Sequence, residues 1–202
     1  MPFYKLRFLV LVLCIACFNR VNSQIVIADA LPGCLNVETI IGIGCDGNGN
    51  ITNPTAIQVV GNQIVATGSD GAACCSQGGD GNSYFEFEEI TINCFQDIMI
   101  SFDYSATGNF EDNYPTAPQF GCTGSQNDNS HDQIVFYYSL DGGPQIQSLY
   151  VHGEDAVDFT GTWTEGPLNG NSLKITVYAS NKSNSESFFF ENLVIEAEAS
   201  SV

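Results

Sequence analysis

The chain has 202 residues, in which 23 Asp and Glu stand against five Lys and Arg, for a formal net charge of −18. A surface of this sign repels nucleic-acid phosphates and anionic lipid headgroups, which excludes nucleic-acid binding as the main function. The length is sufficient for one domain with a hydrophobic core.

The N-terminal segment has the pattern of a secretory signal peptide. Lys5 and Arg7 precede an apolar run from Phe8 to Phe18, as in the basic and apolar regions of such signals. The run is shorter than the about 20 residues of a membrane span. We therefore predict a signal peptide over residues 1–23, no membrane span and an extracellular location.

A second interpretation of the same segment is a bacterial lipoprotein anchored through Cys17. Cys14 stands three residues earlier, where leucine is usual, so the signal peptide is preferred. Cleavage of the predicted signal peptide leaves residues 24–202, which keep only Lys174 and Lys182 against all 23 acidic residues, a formal net charge of −21. Cations are the natural partners of such a surface.

Six cysteines follow the signal peptide, and an even number in an exported protein predicts disulfides. They are Cys34, Cys45, Cys74, Cys75, Cys94 and Cys122. The sequence does not choose among the pairings, although a ring between the adjacent Cys74 and Cys75 would be strained. Since all six precede residue 123, we expect disulfides to staple a loop-rich first part, residues 24–83, to the sheets.

Residues 24–83 also contain a candidate calcium loop between short β-like runs. Asp46, Asn48 and Asn50 have the alternating spacing that directs oxygens towards one calcium ion. Ile51 and Ile57 stand where the complete calcium-loop motif needs glycine and glutamate. A plain Asn/Gly turn is the alternative interpretation.

From Tyr84 onwards apolar and polar residues alternate in the period of a half-buried strand. The pattern predicts a bulge near Glu88 and Glu89 and a long polar loop over 105–132, with no helix. The predicted strands cover 84–92, 98–104, 134–140, 146–151, the surroundings of Trp163, 172–179 and 187–197, with a turn at 141–144. This order indicates an all-β antiparallel sandwich, with residues 84–197 as the main strands of one domain over 24–202.

The last predicted strand is apolar on both faces except at Glu191 and Asn192. This composition predicts a central strand. An unpaired buried carboxylate costs several kcal/mol. The two residues therefore either turn outward at a bulge or are held by hydrogen bonds or by a cation.

The order of four segments and a lone tryptophan resembles a known class of module. The segments are IMISFDYSA, HDQIVFYYSLDGG, SLKITVYASN and ESFFFENLVI. Over about residues 84–196 the chain resembles secreted jelly-roll modules, similar to carbohydrate-binding modules and to MAM or laminin-G-like domains. The resemblance implies a jelly-roll β-sandwich and a structural calcium ion near Glu191 and Asn192, where family members commonly have aspartate.

Further candidate calcium ligands are Asp128 and Asp132, in the long acidic loop. Candidate N-glycosylation sites are Asn50, in the triplet NIT, and Asn181, in NKS.

Aromatic side chains are candidate sugar platforms, because sugar faces stack on aromatic rings. The candidates are Trp163, Tyr137, Tyr150 and Tyr178; a single tryptophan in a sandwich is more often part of the core. Glu86 and Glu88 alternate with phenylalanines, as on the solvated face of a strand, and no serine-nucleophile motif G-x-S-x-G occurs.

The favoured hypothesis is a secreted, non-catalytic recognition module, braced by calcium, that binds a glycan or an extracellular-matrix component. An acidic structural or adhesive matrix protein is the alternative, and a β-sandwich glycoside hydrolase comes third.

Overall fold

The computed structural model describes residues 25–30, 37–41, 44–45, 51–53, 56–69, 83–108, 110, 132–153, 160–181 and 183–199. In these ranges the chain is built of strands and contains no helix that could cross a membrane. The strands are β1 (Ile25–Ala30), β2 (Val37–Ile41), β3 (Gly44–Cys45), β4 (Ile51–Asn53), β5 (Ile57–Val60), β6 (Gln63–Thr67), β7 (Tyr84–Phe87), β8 (Ile90–Thr91), β9 (Phe95–Thr107), β10 (Gln133–Leu140), β11 (Ile146–His152), β12 (Thr160–Leu168), β13 (Ser172–Ser180) and β14 (Ser187–Ala199).

Two antiparallel six-stranded sheets form the sandwich. Sheet A has the order β12-β9-β14-β6-β5, with β1 also paired to β14. Sheet B has the order β11-β10-β13-β7-β2, with β8 also paired to β13, while β3 and β4 form a separate two-stranded ribbon. The prediction of an all-β antiparallel sandwich is confirmed, and β14 is a central strand as its composition indicated.

The core consists of the inward-facing residues of both sheets, and phenylalanine dominates its centre. Phe85 and Phe87 of sheet B meet Phe102 of sheet A edge-on, with ring centroids 6.5 and 5.7 Å apart. Phe190 of β14 contacts Phe85 at 5.1 Å. All four side chains are fully buried. Edge-to-face geometry suits the ring quadrupole, so these contacts add to the stabilisation from apolar burial.

At Glu88 and Glu89, where the sequence predicts a bulge within one strand, the strand is interrupted between β7 and β8. Both strands pair with β13, at Thr176–Tyr178 and at Ser172–Leu173 respectively. The bulge predicted in β14 is present. Its register against β9 shifts between Glu191 and Val194, and Asn192 has a φ of 56°.

A buried asparagine joins the ends of the two sheets. Asn181 follows β13 of sheet B, and its Oδ1 accepts hydrogen bonds from the N–H (2.7 Å) and hydroxyl (2.9 Å) of Ser69, which follows β6 of sheet A. Its Nδ2 donates to the carbonyl oxygens of Ala66 at 3.1 Å and Glu186 at 2.8 Å. The amide is 0% exposed and makes four hydrogen bonds. This burial argues against the predicted N-glycosylation of Asn181, because Nδ2 already donates both of its hydrogens to backbone carbonyl groups.

Replacing this side chain tests its role. We expect Asn181→Ala to lower the free energy of unfolding by about 3 kcal/mol, because it leaves several buried polar groups without a partner. Urea unfolding measures the change. Asn184→Ala, at an exposed position in the same turn, is the control and should change the free energy by less than about 0.5 kcal/mol. Equal effects of the two substitutions would contradict the assignment.

The tight turn between β10 and β11 is the one predicted at residues 141–144. Asp141 and Gly142 have φ values of 55° and 65°, and the N–H of Gly143 donates to the carbonyl oxygen of Leu140 at 2.8 Å. Asp141 Oδ1 accepts hydrogen bonds from the backbone N–H groups of Asn171 (2.6 Å) and Ser172 (3.0 Å). These two bonds lower the pKa of Asp141 below its ordinary value of 3.8.

The lowered pKa makes the contribution of Asp141 depend on pH. A carboxyl with a lower pKa in the folded state stabilises the fold above its unfolded pKa and loses this effect as pH falls through the folded pKa. Asn tolerates the same backbone conformation. We therefore expect Asp141→Asn to be less stable than wild type near neutral pH, with a difference that shrinks below about pH 4. Thermal unfolding at a series of pH values measures it, and a difference independent of pH would contradict the argument.

Candidate functional site

The outer face of sheet B brings four tyrosines together. Tyr178 alternates along β13 with the buried Val177 and Ala179, so its side chain points away from the core. Tyr84 of β7 is its direct partner across the sheet. With Tyr137 of β10 and Tyr150 of β11, these residues form what we call the tyrosine face: Tyr84, Tyr137, Tyr150 and Tyr178. All four side chains are half-buried.

Strand register determines how the rings are arranged. Tyr178 pairs with Tyr84 on one side and with Val135 on the other, and Val135 pairs with Tyr150. The row Tyr84–Tyr178–Val135–Tyr150 therefore crosses four strands. Tyr137 lies two residues from Val135 on β10, so it occupies the next row. Val135, which lies between Tyr178 and Tyr150 in this row, is 0% exposed.

The rings make direct contacts but are not coplanar. Tyr84 and Tyr178 have centroids 5.2 Å apart and planes inclined by 38°, whereas Tyr137 meets Tyr178 edge-on at 5.5 Å and 78°. Tyr150 contacts the ring of His152 at 4.9 Å. The face is thus a stepped aromatic surface, suited to a ligand whose successive units differ in orientation.

A row of connected polar side chains runs beside the tyrosines, which we call the polar ridge: Gln145, Thr176, Glu86 and Lys174. Gln145 Nε2 donates to Thr176 Oγ1 at 3.0 Å, and Thr176 Oγ1 donates to Glu86 Oε1 at 3.0 Å. Glu86 Oε2 lies 3.1 Å from Lys174 Nζ. These bonds fix the side chains in orientation next to the aromatic rings, which favours binding without a large ordering cost.

The hydroxyls of Tyr137 and Tyr150 stay protonated at neutral pH, because the pKa of each is raised. Burial raises the pKa of Tyr137, and the nearby Tyr178 raises it further. Burial also raises the pKa of Tyr150. Each neutral phenol both donates and accepts hydrogen bonds; Tyr137 Oη lies 3.4 Å from Gln147 Oε1.

Three of the four predicted platform residues, Tyr137, Tyr150 and Tyr178, therefore lie on one face. Tyr84 was missed, although its alternation with the core residue Phe85 is a signal that it faces outward. The polar ridge was also missed, since its members come from three separate segments of the chain.

Trp163, the fourth predicted platform, packs in the core instead. It is 3% exposed and stacks on Phe136 with centroids 4.7 Å apart. Its Nε1 donates to Ser148 Oγ at 2.8 Å, and Ser148 in turn donates to Glu165. Because β12 and β11 are edge strands of different sheets, these bonds join the two sheets at one side of the sandwich. The buried ring does not present a stacking surface to a sugar.

The predicted calcium ligands Glu191 and Asn192 lie on the outer face of sheet A. Glu191 accepts a hydrogen bond from Gln63 Nε2 at 2.9 Å. Asn192 Nδ2 donates to Asp103 Oδ2 at 2.9 Å, and Thr162 Oγ1 donates to Asp103 Oδ1 at 2.6 Å. A bulge and hydrogen bonds, two of the arrangements expected from the sequence, therefore both occur at these residues. Calcium binding stays a prediction.

Other predicted metal ligands divide between two regions. Asp132 is 2% exposed at the start of β10, and its carbonyl oxygen accepts a hydrogen bond from the N–H of Gly153 at 3.0 Å. Within the part of the chain that the structure describes, no three His, Cys, Asp or Glu side chains gather as a metal site. Asp46, Asn48, Asn50 and Asp128 lie outside the described residues.

The disulfide and export predictions also stay predictions. Cys94 is exposed in the turn before β9, and Cys45 belongs to β3. The remaining predicted disulfide residues, Cys34, Cys74, Cys75 and Cys122, lie outside the described residues, as do the signal peptide and the alternative lipid anchor at Cys17.

Comparison with solved structures finds similar sandwich proteins at low sequence identity. A mutant of a family 29 carbohydrate-binding module complexed with cellulohexaose is 8% identical, with a TM-score of 0.45 over 86% of this chain and 90% of that chain. A family 61 carbohydrate-binding module with β-1,4-galactotriose is 10% identical, with a TM-score of 0.38 over 83% and 89%. The K3 adhesin domain of Lys-gingipain from Porphyromonas gingivalis is 13% identical, with a TM-score of 0.44 over 86% and 99%.

Two of these three structures are carbohydrate-binding modules. No protein-family model and no curated protein matches the chain.

Proposed function

We propose that the protein is a secreted, non-catalytic module that binds a glycan, on the cell surface or in the extracellular matrix, through its tyrosine face. The observation that carries the proposal is the grouping of Tyr84, Tyr137, Tyr150 and Tyr178 on one face of sheet B. Sugar rings present C–H groups on their faces, and these pack against aromatic rings that exclude water.

The polar ridge supports the same proposal. A sugar that stacks on Tyr178 has hydroxyl groups at its rim, and these require hydrogen-bond partners once they leave water. Glu86 and Gln145 lie beside the rings as acceptor and donor groups, and both are already oriented by Thr176. An aromatic surface with a few fixed polar groups is the usual composition of a small-ligand site.

The proposal of a non-catalytic role rests on the hydrogen bond and the ion pair that Glu86 makes. A glycoside hydrolase needs two carboxyl groups placed as acid and as base or nucleophile. Both oxygens of Glu86 are already engaged, by Thr176 and by Lys174. A carboxylate engaged in this way is suited to orienting Thr176 and Lys174 and not to transferring a proton.

Substitution on the tyrosine face provides the test. We expect Tyr178→Ala to weaken binding of the best glycan on an array by about tenfold or more, because the ring contacts both Tyr84 and Tyr137 and supports their positions. Isothermal titration measures the affinity, and Tyr178→Phe should retain most of it because the ring remains.

Phe189→Ala is the matched control, since Phe189 is a half-buried aromatic residue on the outer face of sheet A. It should leave the affinity unchanged. If no glycan binds the wild-type protein, or if Tyr178→Ala binds as tightly as wild type, the proposal is wrong.

Calcium bracing is the second part of the proposal. Asp103 and Glu191 are direct partners on adjacent strands of sheet A, and like charges opposite each other are destabilising. A bound calcium ion would relieve this repulsion. We expect the melting temperature to rise in calcium relative to EDTA, since a ligand of the folded state alone stabilises it. Thermal unfolding measures the shift, and identical melting in both conditions removes calcium from the proposal.

A further inference from the structure

The edge strand β11 presents two side chains on the outer face of sheet B that a regular strand would point in opposite directions. Gln147 and Tyr150 are three positions apart, and an odd separation in a regular strand places two side chains on opposite faces. In β11 Tyr150 belongs to the tyrosine face, and Gln147 Oε1 lies 3.4 Å from Tyr137 Oη on the same face. Such an arrangement requires an irregularity between the two positions.

The irregularity is a β-bulge at Ser148. Phe136 of β10 pairs with Leu149 of β11. The next residue of β10, Tyr137, pairs with Gln147, so Ser148 is the extra residue in β11. A bulge of one residue changes the direction of the side chains that follow it, which is how such bulges re-aim functional groups.

The side chain of Ser148 is held from the opposite sheet. Its hydroxyl accepts a hydrogen bond from Trp163 Nε1 at 2.8 Å and donates to Glu165 Oε2. Glu165 Oε1 also accepts from the N–H of Gly166 at 3.1 Å, and the Trp163 ring stacks on Phe136. Both partners of Ser148 are thus fixed on β12. The bulge therefore moves along β11 only if both hydrogen bonds of the hydroxyl are broken.

Tyr150 is the outermost ring of the tyrosine face. It lies on the edge strand, at the end of the row that begins at Tyr84 and passes through Tyr178. Three strand spacings, or about 14 Å, separate the two ends of this row. A slip of one residue in β11 would turn Tyr150 away from the face and shorten the aromatic surface.

We propose, on the basis of the glycan-binding function above, that Ser148 is a positioning residue for that function. Trp163 and Glu165 hold the bulge at Ser148, and the bulge places Tyr150 on the tyrosine face. Ser148 acts through Tyr150, because its own hydroxyl is directed towards sheet A. A buried tryptophan of one sheet thereby determines how far the binding surface of the other sheet extends.

The test is a double-mutant cycle between Ser148 and Tyr150, with affinities measured by isothermal titration. The probe is the tightest binder among β-1,4-linked hexamers of glucose, mannose and galactose, or of the wider array if none of these binds. We expect Ser148→Ala to weaken binding about threefold or more, because the bulge loses both hydrogen bonds. In the Tyr150→Ala background the same substitution should have no further effect, since no ring is left to position.

Three further variants separate positioning from loss of stability. Ser148→Thr keeps the hydroxyl and should restore the affinity that Ser148→Ala loses. Trp163→Phe keeps an aromatic ring but removes the N–H donor, so it should show the same coupling to Tyr150. Ile64→Val destabilises the core at a fully buried position of β6, and it should leave the affinity of the folded protein unchanged.

A second measurement does not depend on any glycan. The rings of Tyr150 and His152 have centroids 4.9 Å apart, so their protons should give a nuclear Overhauser signal in the wild-type protein. We expect this signal to be lost in Ser148→Ala and to return in Ser148→Thr.

The outcomes distinguish this inference from the proposed function. Unchanged affinity in Ser148→Ala, an equal loss of affinity with and without Tyr150, or an unchanged signal between the two rings overturns the positioning role while glycan binding stands. If no array member binds the wild-type protein, the proposed function is wrong, and the ring signal alone decides whether Ser148 positions Tyr150.

Discussion

The constraint on which the structure depends is that adjacent residues of a strand point to opposite faces. In β13 the residues Leu173, Ile175, Val177 and Ala179 fill the core, and this commits Lys174, Thr176 and Tyr178 to the opposite surface. A slip of one residue would exchange the two sets. Because the phenylalanine contacts between the sheets determine the register, the packing of the core also determines the composition of the tyrosine face.

Hydrogen-bonded polar groups join the two sheets, in addition to the apolar core. Asn181 joins the segments that follow β6 and β13, and the contacts of Trp163, Ser148 and Glu165 join the edge strands β11 and β12. Ser148 is the extra residue where the register between β10 and β11 shifts. These groups are directional, so they fix how the two sheets are aligned, which apolar burial alone does not specify.

The two outer faces differ in chemistry. Sheet B presents tyrosines beside the ion pair of Glu86 and Lys174, whereas sheet A presents Asp103 and Glu191 with amide and hydroxyl donors around them. A chain this acidic repels anions over most of its surface.

The sequence by itself determined the class of the fold and most strand positions. The alternation in segments such as 98–104 and 172–179 records which side of each strand is buried, and the Asp-Gly pair at 141–142 marks a tight turn through its backbone preference. It also showed that Glu191 and Asn192 interrupt an apolar strand.

Only the tertiary structure decided which aromatic residues act together, because ring contacts depend on strand order and register between segments far apart in sequence. Tyr84 and Tyr178 meet as direct partners on β7 and β13, while Trp163 turns inward because its strand places it opposite Phe136. The sequence likewise did not show that the side chain of Asn181 is buried, since a triplet motif carries no information about burial. Local pattern fixes the direction of a side chain relative to its own strand, and long-range pairing fixes its neighbours.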